Sequence, residues 1–297
     1  MLKFTEITEE KAEKLASEFS CAELALSVME SFDYSDPDVS YAVCEHEGFI
    51  LVRIFDLGRY MFLYPIEMRS EVDTDAALLA LSEYAMREEI GFTLTGVPTC
   101  EVERLLRLGF RHLDVDLEDE DSYRVRVKTE CELASDVGGF ELNGLSVSLI
   151  DYDCASAYGE LCRDAELNRF WGYDYREDAQ DADDEFFIDE AKSGFARGAS
   201  LTFALKFDGE LVGTSELFAF DGRGSCECAV KIARWAQGRG FGSLGIEAAI
   251  KVAQELGLSR LYCDVMNENV HSIRMVSKYF CEVESAHSDR KHFVRNL

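Results

Sequence analysis

The chain has 297 residues, enough for two domains of ordinary size, and its apolar content of 47% is typical of a packed globular protein. Its formal net charge of −28 at pH 7 argues against a nucleic-acid partner, whose phosphates require lysine and arginine, and against anionic membrane surfaces. The same charge is compatible with a cationic substrate, although solubility alone also explains it.

The ten cysteines are spread along the chain, and no two of them form a Cys-x-x-Cys pair. We therefore expect neither a zinc site nor a thioredoxin-like motif, and no metal cofactor. The N-terminal segment lacks the apolar core of a signal peptide, and no apolar run is long enough to cross a membrane. These features predict a reducing, cytoplasmic setting and no membrane partner.

The first half predicts helices followed by an antiparallel meander. Thr8 begins a capping box for helical residues up to about 32, and β-rich runs at 41–44, 48–55 and 60–64 follow, separated by polar turns. The next predicted elements are a helix at 76–89 capped by Asp73, a strand at 92–94, a helix at 101–108 and strands at 110–115 and 123–127.

The second half repeats this order after a polar segment that contains Gly138-Gly139 and Asn143-Gly144. We place a linker there, at 131–144, between a first domain at 1–130 and a second domain at 145–297. The predicted elements of the second domain are a strand at 145–150, helices at 154–167 and up to about 197, a hairpin at 200–207 and 211–220, a strand at 226–232, a long helix to 256, a strand at 260–265, a helix at 270–279 and strands at 282–286 and 291–294. We therefore expect an α/β (α+β) protein of two domains, each a mixed, mostly antiparallel sheet flanked by helices.

A glycine-rich turn, Gln237-Gly238-Arg239-Gly240-Phe241-Gly242, joins the strand at 226–232 to the long helix. Glycines allow positive φ and let a ligand approach the backbone, and the following helix offers unpaired N–H groups at its start. Together they predict a site for an anion, usually a phosphate. The dinucleotide fingerprint and the ATP-binding P-loop do not fit, because the glycine spacing differs and no Gly-Lys-Ser/Thr follows.

The spacing Gln-x-x-Gly-x-Gly of this turn resembles the pyrophosphate loop of the GNAT acetyltransferase superfamily. The resemblance is continuous over about 145–297, and over the first half it concerns the order of elements only. Where the first half would carry its own loop, residues 65–74 contain acidic side chains and no glycine. We therefore expect a tandem protein with a degenerate N-terminal copy that does not bind CoA, an arrangement similar to proteins related to bacterial lysyl-phosphatidylglycerol synthases.

The resemblance implies acetyl-CoA as a cosubstrate. Its pantetheine arm would pair, like an added strand, with the backbone of Val230, Lys231 and Ile232. Its pyrophosphate would accept from the backbone N–H groups of Gln237 to Ser243, and Arg239 would add positive charge. A later segment resembles the family's Asn-x-x-Ser/Ala pattern and places Asn269 and Ser272 against the pantetheine end, although Asn269 also fits as a helix cap.

The implied reaction is direct attack of a primary amine on the thioester in a ternary complex. An alkylamine must first lose a proton, so we expect a base. Glu216 and Glu227 are the candidates, because each is an isolated glutamate in an apolar strand, although a solvent-facing position would explain them too. Val276 stands where many family members carry a tyrosine as general acid, so we expect the thiolate to leave unaided or through water.

Trp171, Tyr173 and Tyr175 lie where the family's variable substrate-facing segment falls, and a carboxylate-rich run follows them. They predict an aromatic, anionic cleft for a cationic amine on a small molecule or a protein, although ordinary packing explains them at least as well. Two alternatives stay open: a non-catalytic acyl-CoA-binding sensor, since the tyrosine is missing, and an aminoacyl transferase using charged tRNA, against which the net charge argues. Both a monomer and a homodimer are compatible with the sequence.

Overall fold

The structure is a computed structural model that describes residues 2–56, 59–88, 90, 92–110, 113–117, 122–127, 138–171, 182–196, 199–285 and 287–297. The chain divides into two compact units. The first unit comprises Met1–Thr129 with Asp221–Arg223, and the second comprises Glu130–Phe220 with Gly224–Leu297. Each unit is built around one sheet flanked by helices.

The sheet of the first unit has the strand order β1-β2-β3-β4-β6-β8-β7, with β5 paired to β3. Its strands are β1 (Thr5–Ile7), β2 (Val39–His46), β3 (Phe49–Asp56), β4 (Arg59–Leu63), β5 (Ile66–Glu67), β6 (Leu94–Pro98), β7 (Leu113–Leu117) and β8 (Ser122–Val127). Its helices are α1 (Ala12–Ala16), α2 (Ala22–Glu30), α3 (Thr74–Arg87) and α4 (Val102–Arg107). The pair β4–β6 is parallel, and the other pairs are antiparallel.

The sheet of the second unit has the order β15-β16-β14-β13-β12-β11-β10-β9. Its strands are β9 (Phe140–Leu142), β10 (Leu145–Leu149), β11 (Ser200–Phe207), β12 (Glu210–Phe218), β13 (Ser225–Ile232), β14 (Arg260–Met266), β15 (Cys281–Val283) and β16 (Arg290–Asn296). Its helices are α5 (Ala155–Arg163), α6 (Ala165–Asn168), α7 (Asp184–Ala196), α8 (Phe241–Glu255) and α9 (Val270–Val276). The pair β13–β14 is parallel, and the other pairs are antiparallel.

Apart from β5 and β9, the two sheets have the same strand order and place their parallel pair at the same point of that order. The helices also fall between equivalent strands, so one topology occurs twice along the chain. The predicted fold class, two tandem units with mixed, mostly antiparallel sheets, is confirmed. The pattern was readable because strands mostly of five to nine residues alternate with helices, and Asp73, Asp164 and Asn269 cap three of those helices.

The segment predicted as a linker contributes to the second sheet. Phe140–Leu142 forms β9 and pairs antiparallel with β10, and the turn between them is Asn143-Gly144. Both turn residues have positive φ, 50° and 81°, which is the requirement of a tight two-residue hairpin. The Asn-Gly pair is therefore a hairpin turn and not part of the linker, while the domain boundaries themselves stay a prediction.

Helices cover both faces of the second sheet. Helix α8 packs on β12 and β13 from one side, and α5 and α7 pack on β12 and β11 from the other. On the α8 side the approach is close, because a Cβ on Gly245 would lie 2.7 Å from a methyl carbon of Val230. Alternate residues of the central strands therefore face two different environments, an apolar core under α8 and a second face that carries polar groups. Within the described part of the chain, no helix is long and apolar enough to span a membrane.

Candidate active site

The two central strands of the second sheet, β13 and β14, are neighbours over only part of their length. Their parallel pairing comprises three residue pairs, from Ser225↔Arg260 to Glu227↔Tyr262. Beyond that point β13 continues to Ile232 and stays paired with β12, while β14 continues to Met266 and stays paired with β16. The strands therefore part, and the second half of β13 has an edge that faces a gap instead of β14.

The hydrogen-bond pattern of β13 shows which backbone groups face this gap. The Ala233 N–H donates to the Val212 carbonyl at 2.9 Å, on the β12 side. Because an antiparallel ladder alternates, the backbone of Lys231 also points toward β12, and that of Val230 and Ile232 points toward the gap. Of the three residues expected to pair with pantetheine, two thus have the required orientation. The Ile232 carbonyl already accepts from Nε2 of Gln237 at 3.1 Å, which fixes the start of the loop to the strand end.

The glycine loop adopts the open geometry that an anion site needs. Gly238 and Gly240 have φ values of +75° and +91°, a region that favours glycine. A Cβ on either residue would meet nothing within 4 Å, so the space beside the backbone is open. Gly240 is the N-cap of the 15-residue helix α8, and no side chain caps that helix end. The loop therefore leads to a long, uncapped helix start with a positive electrostatic potential.

At the start of α8, one backbone group and one side chain of the loop region have structural roles. Ser243 donates its N–H to the Gly240 carbonyl at 3.0 Å, as part of the first turn of α8. Arg239 is exposed, and its guanidinium lies 5.0 Å from the ring centroid of Phe241 and 5.6 Å from that of Phe207. These aromatic contacts hold a positive charge at the mouth of the loop.

Helix α9 flanks the same region. A Cβ on Gly242 would lie 2.7 Å from the Met275 sulfur, so α8 and Met275 of α9 approach closely at this glycine. Asn269 is the N-cap of α9, and its Oδ1 accepts from the Ser272 N–H at 3.2 Å. The two residues expected beside pantetheine therefore contact each other, and the capping role of Asn269 is the one that the structure shows.

The face of the sheet opposite α8 carries the two candidate glutamates. In the strand register Glu216 lies opposite Ala229 and Glu227 lies opposite Phe218, so both side chains point to the same side. Glu216 is within 3.5 Å of the Thr202 hydroxyl, and Glu227 Oε1 accepts from the Asp264 N–H at 3.3 Å. Glu227 thus bridges the two strands where they begin to part.

A buried lysine occupies this same face, which the sequence did not indicate. Lys231 is 7% exposed, its Nζ donates to Asn168 Oδ1 at 2.7 Å, and it lies 4.3 Å from the Trp171 ring centroid. Burial lowers the pKa of Lys231, while the nearby Cys162 thiol and Glu216 carboxylate raise it. The sequence showed only the strand position of Lys231, because the burial of its side chain depends on α6 folding over the sheet.

Asn168 is fixed so that its oxygen must point at the lysine. Its Nδ2 donates to the carbonyls of Leu161, Cys162 and Asp164 at 3.4, 2.6 and 2.9 Å, at the end of α5 and in the turn after it. Asp164 in turn caps α6 and accepts from Arg234 Nε at 2.6 Å. The polar contacts of α6 therefore connect the helical layer to both the end of β13 and the turn that follows it.

The predicted aromatic and anionic cleft is only partly described. Trp171 is half-buried and holds the chain's own cation, Lys231, over its ring, while Tyr173 and Tyr175 lie outside the described residues. Among the carboxylates that follow, Asp184 pairs with Arg163 and Asp189 accepts from the Tyr152 hydroxyl at 2.6 Å. These two carboxylates stabilise α7.

At the position expected for a general acid, Val276 is 3% exposed and belongs to the core. The nearby Tyr279 donates its hydroxyl to Glu247 Oε1 at 2.8 Å, which joins the end of α9 to α8. Burial and this hydrogen bond raise the pKa of Tyr279. Among the residues that the structure describes, no group of three or more His, Cys, Asp or Glu side chains could hold a metal ion.

Comparison with known proteins gives the same assignment for this part of the chain. Residues 164–280 match the model of the acetyltransferase (GNAT) family. No curated protein matches. Solved structures with a similar fold include a spermidine N-acetyltransferase from Vibrio cholerae in complex with CoA and spermine, at 18% identity and a TM-score of 0.45, covering 52% of this chain and 96% of that one.

Two further similar structures are a putative acetyltransferase from Salmonella typhimurium with acetyl-CoA and a ribosomal-protein-alanine N-acetyltransferase from Brucella melitensis. Their identities are 19% and 19%, their TM-scores 0.43 and 0.42, and they cover 52% and 51% of this chain and 95% and 99% of their own. The family match spans the parting strands, the glycine loop and both flanking helices. The second unit of this chain therefore contains a domain of the GNAT acetyltransferase family.

Proposed function

We propose that the second unit binds acetyl-CoA and transfers its acetyl group to a primary amine by direct attack in a ternary complex. The observation that carries this proposal is the parting of β13 and β14 beside an uncapped helix start. The gap offers the backbone of Val230 and Ile232 to an extended pantetheine chain, and the loop from Gly238 to Gly242 offers N–H groups to the pyrophosphate.

In this arrangement the thioester lies between the two strands, next to the face that carries Glu216, Glu227 and Lys231. The amine nitrogen forms a bond to the thioester carbonyl carbon, the carbon–sulfur bond breaks, and CoA leaves as a thiolate. The proton that the amine loses passes to a base on the polar face or to water. The buried Val276 supplies no proton, so the thiolate is protonated by water.

Turnover with a panel of amines tests the proposal. Acetyl-CoA at saturating concentration is mixed with spermine, free lysine or a peptide with an N-terminal alanine, and released thiol is measured with a colour reagent. We expect acceptor-dependent thiol release and an acetylated amine in the mass spectrum. Glu216→Gln and Glu227→Gln then show which carboxylate the rate depends on, with Glu210→Gln, an exposed glutamate at the start of β12, as the matched control.

The buried Val276 favours a second candidate, an acyl-CoA-binding sensor that does not turn over. Calorimetry with acetyl-CoA separates the two functions. Tight binding without acceptor-dependent thiol release across the panel supports the sensor, whereas binding with release supports the enzyme. Absence of binding contradicts both functions, since both require the same loop.

We also propose a cellular setting, a domain boundary and an acceptor class for this protein. The described cysteines are all free thiols, which supports a cytoplasmic setting. We place the domain boundary between about 130 and 139, before the hairpin of β9 and β10, and assign CoA binding to the second unit alone. A cationic small-molecule or protein acceptor agrees with the net charge of −28.

A further inference from the structure

The parallel pairing of β13 and β14 ends although both strands keep a regular course. From Glu227 to Ile232, β13 stays in continuous register with β12, and from Tyr262 to Met266, β14 stays in continuous register with β16. A β-bulge, which would insert a residue and bend one strand, therefore does not account for the parting of these two described strands. A local cause would act at the last shared residue pair, Glu227↔Tyr262.

The hydrogen-bond ladder between the two strands shows where its next bond would form. The Arg260 N–H donates to the Gly224 carbonyl at 3.1 Å, so the bonds that β14 donates to β13 come from alternate residues beginning with Arg260. The next donor is Tyr262, which belongs to the last register pair, and the one after it is Asp264. In a continued ladder the Asp264 N–H would donate to the Cys228 carbonyl.

A side chain accepts from this N–H group instead. Glu227 Oε1 accepts from the Asp264 N–H at 3.3 Å. Glu227 is half-buried, and its side chain starts on the face opposite α8, so the carboxylate reaches the gap from the polar face. A carboxylate that holds the first donor beyond the ladder takes the place of a main-chain acceptor on β13, so the ladder stops there.

We propose that Glu227 is a positioning residue that ends the β13–β14 ladder and keeps the gap open for acetyl-CoA; the inference rests on the proposed acetyl transfer. The Cys228 carbonyl then stays on the gap side, next to the backbone of Val230, where the extended pantetheine chain pairs. Glu227 acts on the cosubstrate through the strand and is not the base. The proton of the amine passes to Glu216, on the same face of the sheet, or to water.

The side chain of Asp264 is engaged on the other side of its strand. Asp264 is the register partner of His292 on β16, and its Oδ1 lies 2.8 Å from His292 Nδ1. This contact occupies the Asp264 carboxylate on the β16 side, while its backbone N–H points to the gap. The two neighbouring carboxylates therefore have separate partners, and that of Glu227 is the one at the gap.

Two variants separate positioning from base catalysis by length and charge. Glu227→Gln keeps the length and an oxygen that accepts the N–H, but it cannot take a proton from the amine. Glu227→Asp keeps the charge but is one methylene shorter, and a bond of 3.3 Å is already long, so its oxygen falls short of the N–H. By calorimetry we expect acetyl-CoA affinity to fall about 10-fold in Glu227→Asp and less than about 2-fold in Glu227→Gln. Glu210→Asp, at an exposed position at the start of β12, is the matched control.

Turnover adds a second comparison, because the loss in Glu227→Asp should appear in KM for acetyl-CoA and not in kcat. The reverse order, with the larger loss in Glu227→Gln and confined to kcat, would identify Glu227 as the base and overturn the inference.

The amide resonance of Asp264 tests the hydrogen bond without CoA or an acceptor. In NMR spectra of the CoA-free protein, the Asp264 amide proton should shift upfield in Glu227→Asp and by less in Glu227→Gln, since a carboxylate acceptor makes a strong bond. An unmoved resonance in Glu227→Asp overturns the inference. If the wild-type chain binds no acetyl-CoA, the proposed acetyl transfer fails, and this shift alone then decides whether Glu227 ends the ladder.

Discussion

The first and second units have the same topology but differ at the parallel strand pair. In the second unit β13 and β14 pair through the first three residues of each strand and then part. In the first unit β4 and β6 pair through the last two residues of β4, Phe62↔Leu94 and Leu63↔Thr95. The Tyr64 N–H extends that contact to the Thr95 carbonyl at 2.9 Å. The strand end that is open in the second unit is therefore closed in the first.

The helix that follows the first strand of the parallel pair also differs between the two units, because its N-terminus is capped in the first unit and uncapped in the second. In the first unit α3 is capped by Asp73, whose Oδ1 accepts from the Ala76 N–H at 3.2 Å. In the second unit the N-cap of α8 is Gly240, without a side chain. A carboxylate at a helix start uses the N–H groups and the positive potential that a phosphate would need.

An ionic cluster occupies the first unit beside this closed end. Tyr64 follows β4 and donates to Glu101 Oε2 at 3.0 Å, and Arg104 on α4 pairs with both Glu101 and Asp75. The cluster joins the strand end to α3 and α4. In the second unit the corresponding helices meet through Gly242 and Met275, without such a cluster between these two residues. The two units thus share their strand order, while an open strand end beside a helix start without a capping side chain is seen in the second unit.

The largest effect is expected for Asn168→Leu, which tests how the second unit tolerates its buried cation. The variant removes the oxygen that accepts from Lys231 and three bonds to carbonyls at the end of α5. A buried charge left without its partner typically destabilises by 3–5 kcal/mol, so we expect a loss of about 4 kcal/mol in urea unfolding.

The pH dependence of that loss shows whether it arises from the buried charge of Lys231. Since burial lowers the pKa of Lys231, the folded protein holds this proton less tightly than the unfolded chain. The penalty is therefore full below the folded-state pKa of Lys231, and it shrinks as the pH rises from that pKa toward the ordinary lysine value of about 10.4. The double variant Asn168→Leu with Lys231→Met should recover much of the stability. An equal loss at all pH values, with no recovery, would show that the carbonyl bonds alone matter.

Gly240→Asp gives the second unit the kind of helix cap that the first unit has. We expect CoA affinity to fall at least about 100-fold, which corresponds to about 2.7 kcal/mol, because a carboxylate replaces the pyrophosphate at the start of α8. Gly240→Asn is the matched control, since it has the same shape and tolerates positive φ but carries no charge. Calorimetry with CoA measures both variants. Equal affinities for Asp and Asn would mean that the loop does not hold the pyrophosphate.

The sequence predicted the repeated topology and the glycine loop because both depend on local patterns. The alternation of apolar and polar residues, the helix caps and the turn glycines each involve residues that are close together in the sequence. The closure of the first unit at Tyr64 and the burial of Lys231 were not predictable in this way. Tyr64 and Glu101 are 37 residues apart, and Lys231 and Asn168 are 63 residues apart, so only the tertiary structure brings each pair together.

Asp73→Ala tests our proposal that the first unit does not bind CoA and asks whether the helix cap is the reason. Loss of an N-cap side chain typically destabilises by about 1 kcal/mol, and we expect that decrease in the unfolding free energy. Asp73→Ser, which keeps a capping oxygen, should lose less than half as much. Calorimetry should show no additional CoA binding in either variant, since the strands stay closed and the loop has no glycine. A second CoA-binding site in Asp73→Ala would show that the Asp73 carboxylate alone prevents CoA binding in the first unit.

The smallest effect is expected for Tyr64→Phe, which probes the closed strand end of the first unit at high pH. Burial, and then the hydrogen bond to Glu101, raise the pKa of Tyr64 above its ordinary value. The folded protein thus keeps the phenol proton where the unfolded chain loses it, so the contribution of Tyr64 falls as the pH rises above about 10. We expect about 0.5 kcal/mol less alkaline destabilisation in Tyr64→Phe than in the wild type between pH 9 and 10.5, because solvent screens part of the interaction. Tyr60→Phe is the control. Tyr60 lies in β4, where its ring packs on Phe55, away from the Glu101 cluster. If both variants show the wild-type decline, Tyr64 is not held by the cluster, and the closure of the first unit rests on the β4–β6 backbone pairs alone.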